Sequence, residues 1–257
     1  MRRLVLWLLA ALLTIGLTIL FFLPAAWLGP LVEKQTKGRL TLGDAQGTFW
    51  NGSAFVGGAA GPRAPVTPLF PGRFAWRISP AVLLGKVRAT VENPAALAQP
   101  ILISGTWSEW TIGASGITLP AERLAGLGAP FNTILPTGQM RLNWNTLLLA
   151  RSGQNVDAQG VVSVELTDVA SRLSPVKPLG AYLATIDLRG ADAQMVLKTV
   201  RGPMLLNGTG ALRNGRVQFA GTAQAEEGQE ERLANFLNLL GQRRMDGDKN
   251  VIALEFK

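Results

Sequence analysis

The chain has 257 residues and a formal charge of +8, from 25 basic and 17 acidic side chains, with 29 glycines, 15 prolines and neither cysteine nor histidine. Those absences exclude disulfides, thiol nucleophiles, imidazole acid–base catalysis and the usual zinc sites. The mild basic excess reads as a solvated face, although an anionic membrane surface or an acidic partner also matches it.

Leu4 to Leu23 is a run of twenty residues without a charge. At 1.5 Å per residue such a helix spans about 30 Å, the hydrocarbon thickness of a bilayer. Arg2 and Arg3 precede the run and the next charge is Glu33, a bias that holds the N-terminus in the cytoplasm. Trp7 and Trp27 suit the headgroup regions at either end. A cleaved signal peptide is the competing reading, but its apolar region is usually ~7–15 residues. Leu23-Pro24-Ala25-Ala26 also offers no clean small-x-small cleavage site. The expected organisation is a cytoplasmic tip and transmembrane anchor over 1–23, a juxtamembrane stem over 24–38 and a periplasmic β-rich domain over 39–257. That is a single-pass inner-membrane protein of a Gram-negative-type bacterium.

The fold class read from the rest is mainly β: antiparallel meander strands, a few short helices and one amphipathic C-terminal helix. Short apolar runs broken by glycine and proline favour strands over long helices. Arg39-Leu40-Thr41-Leu42 opens the series, and Asn51-Gly52 after Phe49-Trp50 predicts a hairpin turn. Phe74, Trp76 and Ile78 alternate with Ala75 and Arg77, and Val87, Ala89 and Val91 alternate with charged neighbours, the period of strands with one buried face. A helical turn is expected at Pro80–Leu84. Strands follow at Ile101–Ile103 and Trp107–Ile112, with a short helix over Leu119–Leu124 that begins with Pro120 and stops at Gly126 and Gly128.

Gln139–Leu149 and Gly160–Val169 read as two longer strands around a polar turn at Ser152–Asn155. Beyond Pro175 and Pro178 come four strands near 182–189, 193–200, 204–212 and 215–223, with a hairpin turn at Arg213-Asn214-Gly215. Leu233, Phe236, Leu237 and Leu240 then fall at i, i+3, i+4 and i+7 behind an acidic first turn, with Gly241 and Arg243-Arg244 closing the segment. This is an amphipathic helix whose polar face is poor in Lys and Arg, so it is expected to dock on the sheet rather than lie on a membrane. Val251–Phe256 makes a last strand.

Motifs for chemistry are imitations. Ser174-Pro175-Val176-Lys177 has the S-x-x-K spacing of penicillin-recognising serine enzymes, but Lys198-Thr199 is followed by Val200 and no Ser-Asp-Asn accompanies it. Asp246-Gly247-Asp248-Lys249-Asn250 starts like a calcium loop, then puts Val251 and Lys257 where glycine and glutamate belong; a turn between helix and strand is expected. Asn51-Gly52-Ser53 and Asn207-Gly208-Thr209 match a glycosylation pattern, but Asn-Gly is turn chemistry. Asp157, Glu165, Asp168, Asp187 and Asp192 form no recognisable catalytic pair. Of the seven tryptophans, the five outside the anchor are expected mostly in the core. No catalytic residue, cofactor, metal site or nucleic-acid surface is expected, and no partner-binding residue is legible.

An ordered set of segments resembles the family of protein N of the bacterial type II secretion system. They are Gly47-Thr48-Phe49-Trp50-Asn51-Gly52, Leu127-Gly128-Ala129-Pro130-Phe131-Asn132-Thr133 with Pro136-Thr137-Gly138, Pro178-Leu179-Gly180-Ala181-Tyr182, Gly221-Thr222-Ala223, and Leu233 to Gly241. The resemblance implies a non-enzymatic accessory component of that machine's inner-membrane platform, which supports export of folded periplasmic proteins and partners with the other inner-membrane components. A rival reading from the strands themselves is a membrane-anchored lipid-handling protein, since a long meander can curl into an open groove with an apolar inner face.

Overall fold

The structure, a computed structural model, describes residues 2–59, 66–127, 134–153, 155–213, 216–246 and 249–256. It opens with helix α1 (Arg2–Phe21), whose Trp7, Leu12, Leu13, Ile15, Ile19 and Phe21 are each more than half exposed. Among the described residues no helix is long and apolar enough to cross a membrane, so the fold by itself does not show the anchor expected of residues 1–23. A 3-10 turn at Ala25–Trp27 leads into helix α2 (Leu28–Gln35). Left-handed Lys37 and Gly38 end α2, and the Gly38 N–H donates to the Glu33 carbonyl at 2.7 Å, which satisfies the orphan carbonyls of its last turn.

Everything that follows is one antiparallel sheet of 17 strands. Its first part runs β1 (Leu40–Gly47), β2 (Asn51–Gly58), β3 (Thr67–Pro68), β4 (Phe74–Ile78), β5 (Lys86–Glu92), β6 (Ile101–Thr106) and β7 (Glu109–Ile112). β8 (Ser115–Pro120), β9 (Pro136–Trp144), β10 (Leu147–Ser152) and β11 (Asn155–Ser171) form the middle. β12 (Gly180–Gly190), β13 (Asp192–Arg201), β14 (Met204–Arg213), β15 (Arg216–Ala225), helix α3 (Glu230–Leu240), β16 (Gln242–Asp246) and β17 (Lys249–Phe256) complete it. Nearly every strand pairs with its neighbours in sequence, as a meander does. The exceptions are β2, which pairs with both the two-residue β3 and β4, β15, which pairs with β17 and leaves β16 outside it, and the middle. There β7 and β8 together face β10 and β9, and both of these line one side of the 17-residue β11. β1 and β16 each pair on one side only, so among the described residues the sheet is open.

Several local expectations are corrected. The turn near residue 50 precedes Asn51-Gly52: Gly47 at φ 82° pairs with Gly52, and the Thr48 N–H donates to the Asn51 carbonyl at 2.9 Å. A Cβ at Gly47 would fall 2.5 Å from that same carbonyl, which fixes glycine there. The single strand expected over Gln139–Leu149 breaks after Trp144, because Asn145 replaces the ladder locally: its side-chain oxygen accepts from the Val161 N–H at 2.9 Å. The short helix starts at Ala121 rather than with Pro120, which ends β8, and continues through Gly126 to Leu127. Arg243-Arg244 lie in β16, not at the end of a helix; of the segment expected as a turn between helix and strand, Asp246 ends β16 and pairs with Lys249, which opens β17. Gly128–Thr133, Gln154, Asn214-Gly215 and Gly247-Asp248 lie outside the described residues. The 3-10 turn at Pro80–Leu84, the strands at 182–223 and the C-terminal helix stand where the sequence puts them.

The best-packed part lies under α3. Leu233, Phe236 and Leu237 pack with Val176, Leu179, Tyr182, Met204, Ala223 and Ile252. Phe236 is 2% exposed, and burial of a side chain of that size contributes about 1.5–3 kcal/mol. Glu230 and Glu231 sit in the first turn, where the helix dipole favours negative charge. Gly241 ends the helix for a packing reason, since a Cβ there would meet the Ala253 carbonyl at 2.5 Å. A smaller cluster of Leu119, Ala121 and Leu124 lies under the 3-10 segment at Ala121–Leu127.

Candidate functional site

The chemical imitations resolve into structural roles. Ser174 is buried and its hydroxyl bonds both the carbonyl and the N–H of Val176, each at 3.1 Å, closing a turn; Lys177 is exposed. Asp187 pairs with Arg189 and Asp168 with Arg201 on exposed surfaces. Asp157, Glu165 and Asp192 lie on β11 and β13 with no group of three or more ligating side chains among the described residues. Both Asn-Gly pairs belong to strands rather than turns: Asn51 opens β2, and Asn207 faces Thr222 across β14 and β15. Gly208 is glycine because the Phe219 ring lies over it, 2.5 Å from where a Cβ would be.

The tryptophans are less buried than expected. Only Trp50 is buried among the five; Trp76, Trp110 and Trp144 are half-buried and Trp107 is 60% exposed. Their indole N–H groups tie elements together. Trp50 donates to the Leu20 carbonyl at 2.8 Å, Trp76 to Phe49 at 3.0 Å and Trp144 to Gly113 at 3.0 Å. With the Phe49 N–H donating to Leu23 at 2.8 Å, the Trp50 bond fastens the last turn of α1 to the β1–β2 turn.

A second tie holds the bulge in β1. Arg73 reaches Asp44 at 2.5 Å and Ser53 at 3.2 Å, with its guanidinium 4.6 Å above the Phe55 ring. The hydrogen bond from Arg73, helped by one from Gln46, holds the Asp44 carboxyl below the usual carboxylate range.

What the register brings together is a face rather than a point. Directly paired residues share a face, and Trp76↔Val91, Ala89↔Ile103, Ile103↔Ile112 and Ile112↔Leu147 run across the first part of the sheet. Leu142↔Val164, Val164↔Ala184, Ala184↔Leu197 and Leu197↔Gly208 carry the same face through the middle and beyond. Away from the strand ends, no charged residue falls on this face from β4 to β15. The opposite face carries Arg88↔Ser104, Ser104↔Thr111, Arg141↔Glu165 and Leu183↔Lys198. The apolar side is also the less accessible one: in β4, β6 and β13 its side chains are half-buried or buried, apart from Gly105, and most of their neighbours on the other side are exposed. An open depression of about 640 Å³ on the polar face, bordered by Lys198, Asn207, Thr209, Thr222 and Arg244, brings together no constellation for catalysis.

Sequence reading caught the alternation in each strand but not the continuity of the face, which depends on register between strands far apart in the chain. Comparison with known families supplies what geometry alone does not. The family model described as type II secretion system protein N matches residues 38–251. No curated protein and no solved structure matches the chain. The match covers nearly the whole sheet, including the turn at Gly47–Gly52, the Pro178–Tyr182 segment and helix α3, and the chain therefore belongs to the type II secretion system protein N family.

Proposed function

We propose that the protein is a non-enzymatic accessory component of the inner-membrane platform of the type II secretion system, supporting export of folded periplasmic proteins across the outer membrane. The observation that carries this reading is the family match over residues 38–251. The buried turn around Ser174 and the scattered carboxylates favour a structural rather than a catalytic part.

In this reading residues 1–23 are the anchor with a cytoplasmic tip, 24–38 a stem, and 39–257 the periplasmic domain, placed beside the other inner-membrane components of the system. The uncharged run Leu4–Leu23 and the exposed apolar side chains of α1 support it. Cross-linking in intact cells, followed by identification of the captured proteins, tests the assignment. Other inner-membrane components of the system should be recovered with the full chain, and their absence from the captured set would count against it. A periplasm-dependent reporter fused after Lys257 should be active; activity of a cytoplasmic reporter there would reverse the orientation.

A further inference from the structure

The apolar face is covered in two places, by α3 with the 174–179 segment and by the 3-10 segment at Ala121–Leu127. Phe70, packed with the second of these clusters, lies against Phe74 at the start of β4; beyond it the described residues place no second layer over the Trp76–Ile78 end of β4, over β5 to β7 or over the ends of β12 to β14 remote from α3. Strands about 4.8 Å apart make this uncovered strip on the order of 40 Å long. We infer that it holds the acyl chains of an anionic phospholipid taken from the membrane beside α1.

Three observations select that occupant. First, the strip offers only aliphatic and aromatic groups, so a peptide laid along it would leave its backbone polar groups unsatisfied, whereas an acyl chain has none to satisfy. Second, the strip begins at the membrane-proximal helix. Trp50, directly before β2, donates to the Leu20 carbonyl at 2.8 Å, and its own carbonyl accepts from the N–H of Ile78 in β4 at 2.7 Å, so α1 ends beside the β4 end of the strip. Third, the antiparallel order gathers the β5 start and the β10–β11, β12–β13 and β14–β15 turns on one rim. There the four cations Lys86, Arg151, Arg213 and Arg216 stand with three carboxylates, Glu109, Asp157 and Asp192, while Arg189 is paired with Asp187. That rim suits a phosphate headgroup. The membrane as the source rests on the anchor reading above; acyl-chain binding rests on the sheet alone.

The test uses the full chain reconstituted in vesicles of phosphatidylethanolamine and phosphatidylglycerol, the latter bearing a diazirine in its acyl chain. After irradiation, labelled peptides are mapped by mass spectrometry. Label is expected on residues 86–92, 101–106 and 184–188 as well as on α1. Ala89→Trp, which fills the strip without adding charge, should lower sheet labelling about tenfold, the scale of overpacking an apolar site. Leu102→Glu, on the opposite face of β6 and 60% exposed, should leave it unchanged; circular dichroism checks that both variants fold. If Ala89→Trp does not fold, the map on the unaltered chain decides. Label confined to α1, or equal loss in both variants, overturns the inference and leaves the anchor reading intact. Label on the sheet with none on α1 sinks the anchor and the membrane source, and keeps the acyl-chain site.

Discussion

The two ends of the apolar face are built from the same kind of strand and differ in what lies on them. Under α3, β12, β14, β15 and β17 bury Tyr182, Met204, Ala223 and Ile252 almost completely. Across β4, β5 and β6 the equivalent side chains, Trp76, Ala89, Val91 and Ile103, stay half-buried. The strand pattern alone therefore does not make a core; a second layer does. One region is a conventional two-layer packing that stabilises the molecule, and the other is an apolar surface with no covering layer among the described residues.

The largest expected effect tests the covered side. Phe236→Ala should cost about 3–5 kcal/mol, since it removes a buried ring from a site closed on every side, and a thermal or denaturant melt reads it. An unchanged melt would mean α3 does not cover the sheet. Next, Tyr182→Phe removes the buried hydroxyl that donates to the Met204 carbonyl at 3.0 Å, at a cost of about 1–2 kcal/mol. Burial pushes the pKa of that phenol up, so the loss should not vary with pH across the neutral range.

Ile103→Ala sharpens the contrast from the other side. The residue is half-buried on the uncovered strip, and its truncation in lipid-free protein should cost only about 1 kcal/mol, well below the range for a sealed core. A loss matching that of Phe236→Ala would show that a covering layer exists. The smallest effect belongs to the surface tie at Asp44. Its folded carboxyl titrates below its unfolded value of about 3.9, so its contribution is present above that pH and fades as pH falls through the depressed folded value. Asp44→Asn should flatten the melting temperature's dependence on acid over that window, and an unaltered dependence would show that the Arg73 bond is not maintained in solution.

Much of this was legible in the sequence, because strand alternation and the i, i+3, i+4 stripe of α3 are local signals. Phe74–Ile78, Lys86–Glu92 and Leu233–Leu240 needed no tertiary knowledge. What escaped was decided by contacts distant in the chain. Asn51-Gly52 and Asn207-Gly208 resemble turns, yet the first is paired inside a hairpin that turns earlier and the second makes room for Phe219. The break at Asn145 depends on Val161, and β16 is a strand because β17 returns to pair with it. The apolar face was visible strand by strand, but its continuity follows from pairings such as Ile112↔Leu147. Nothing in the pattern of single strands announces which of those faces lacks a cover.

The central claim is that this chain serves type II secretion, and the most direct measurement is the location of secreted substrates in cells that lack it. Folded substrates should accumulate in the periplasm, wholly or in part, while growth and ordinary export across the inner membrane continue. The full chain should restore secretion, and neither residues 1–38 nor 39–257 alone should do so, because tethering raises the effective concentration at a membrane-bound partner. Normal substrate release in the deletion strain would contradict the account.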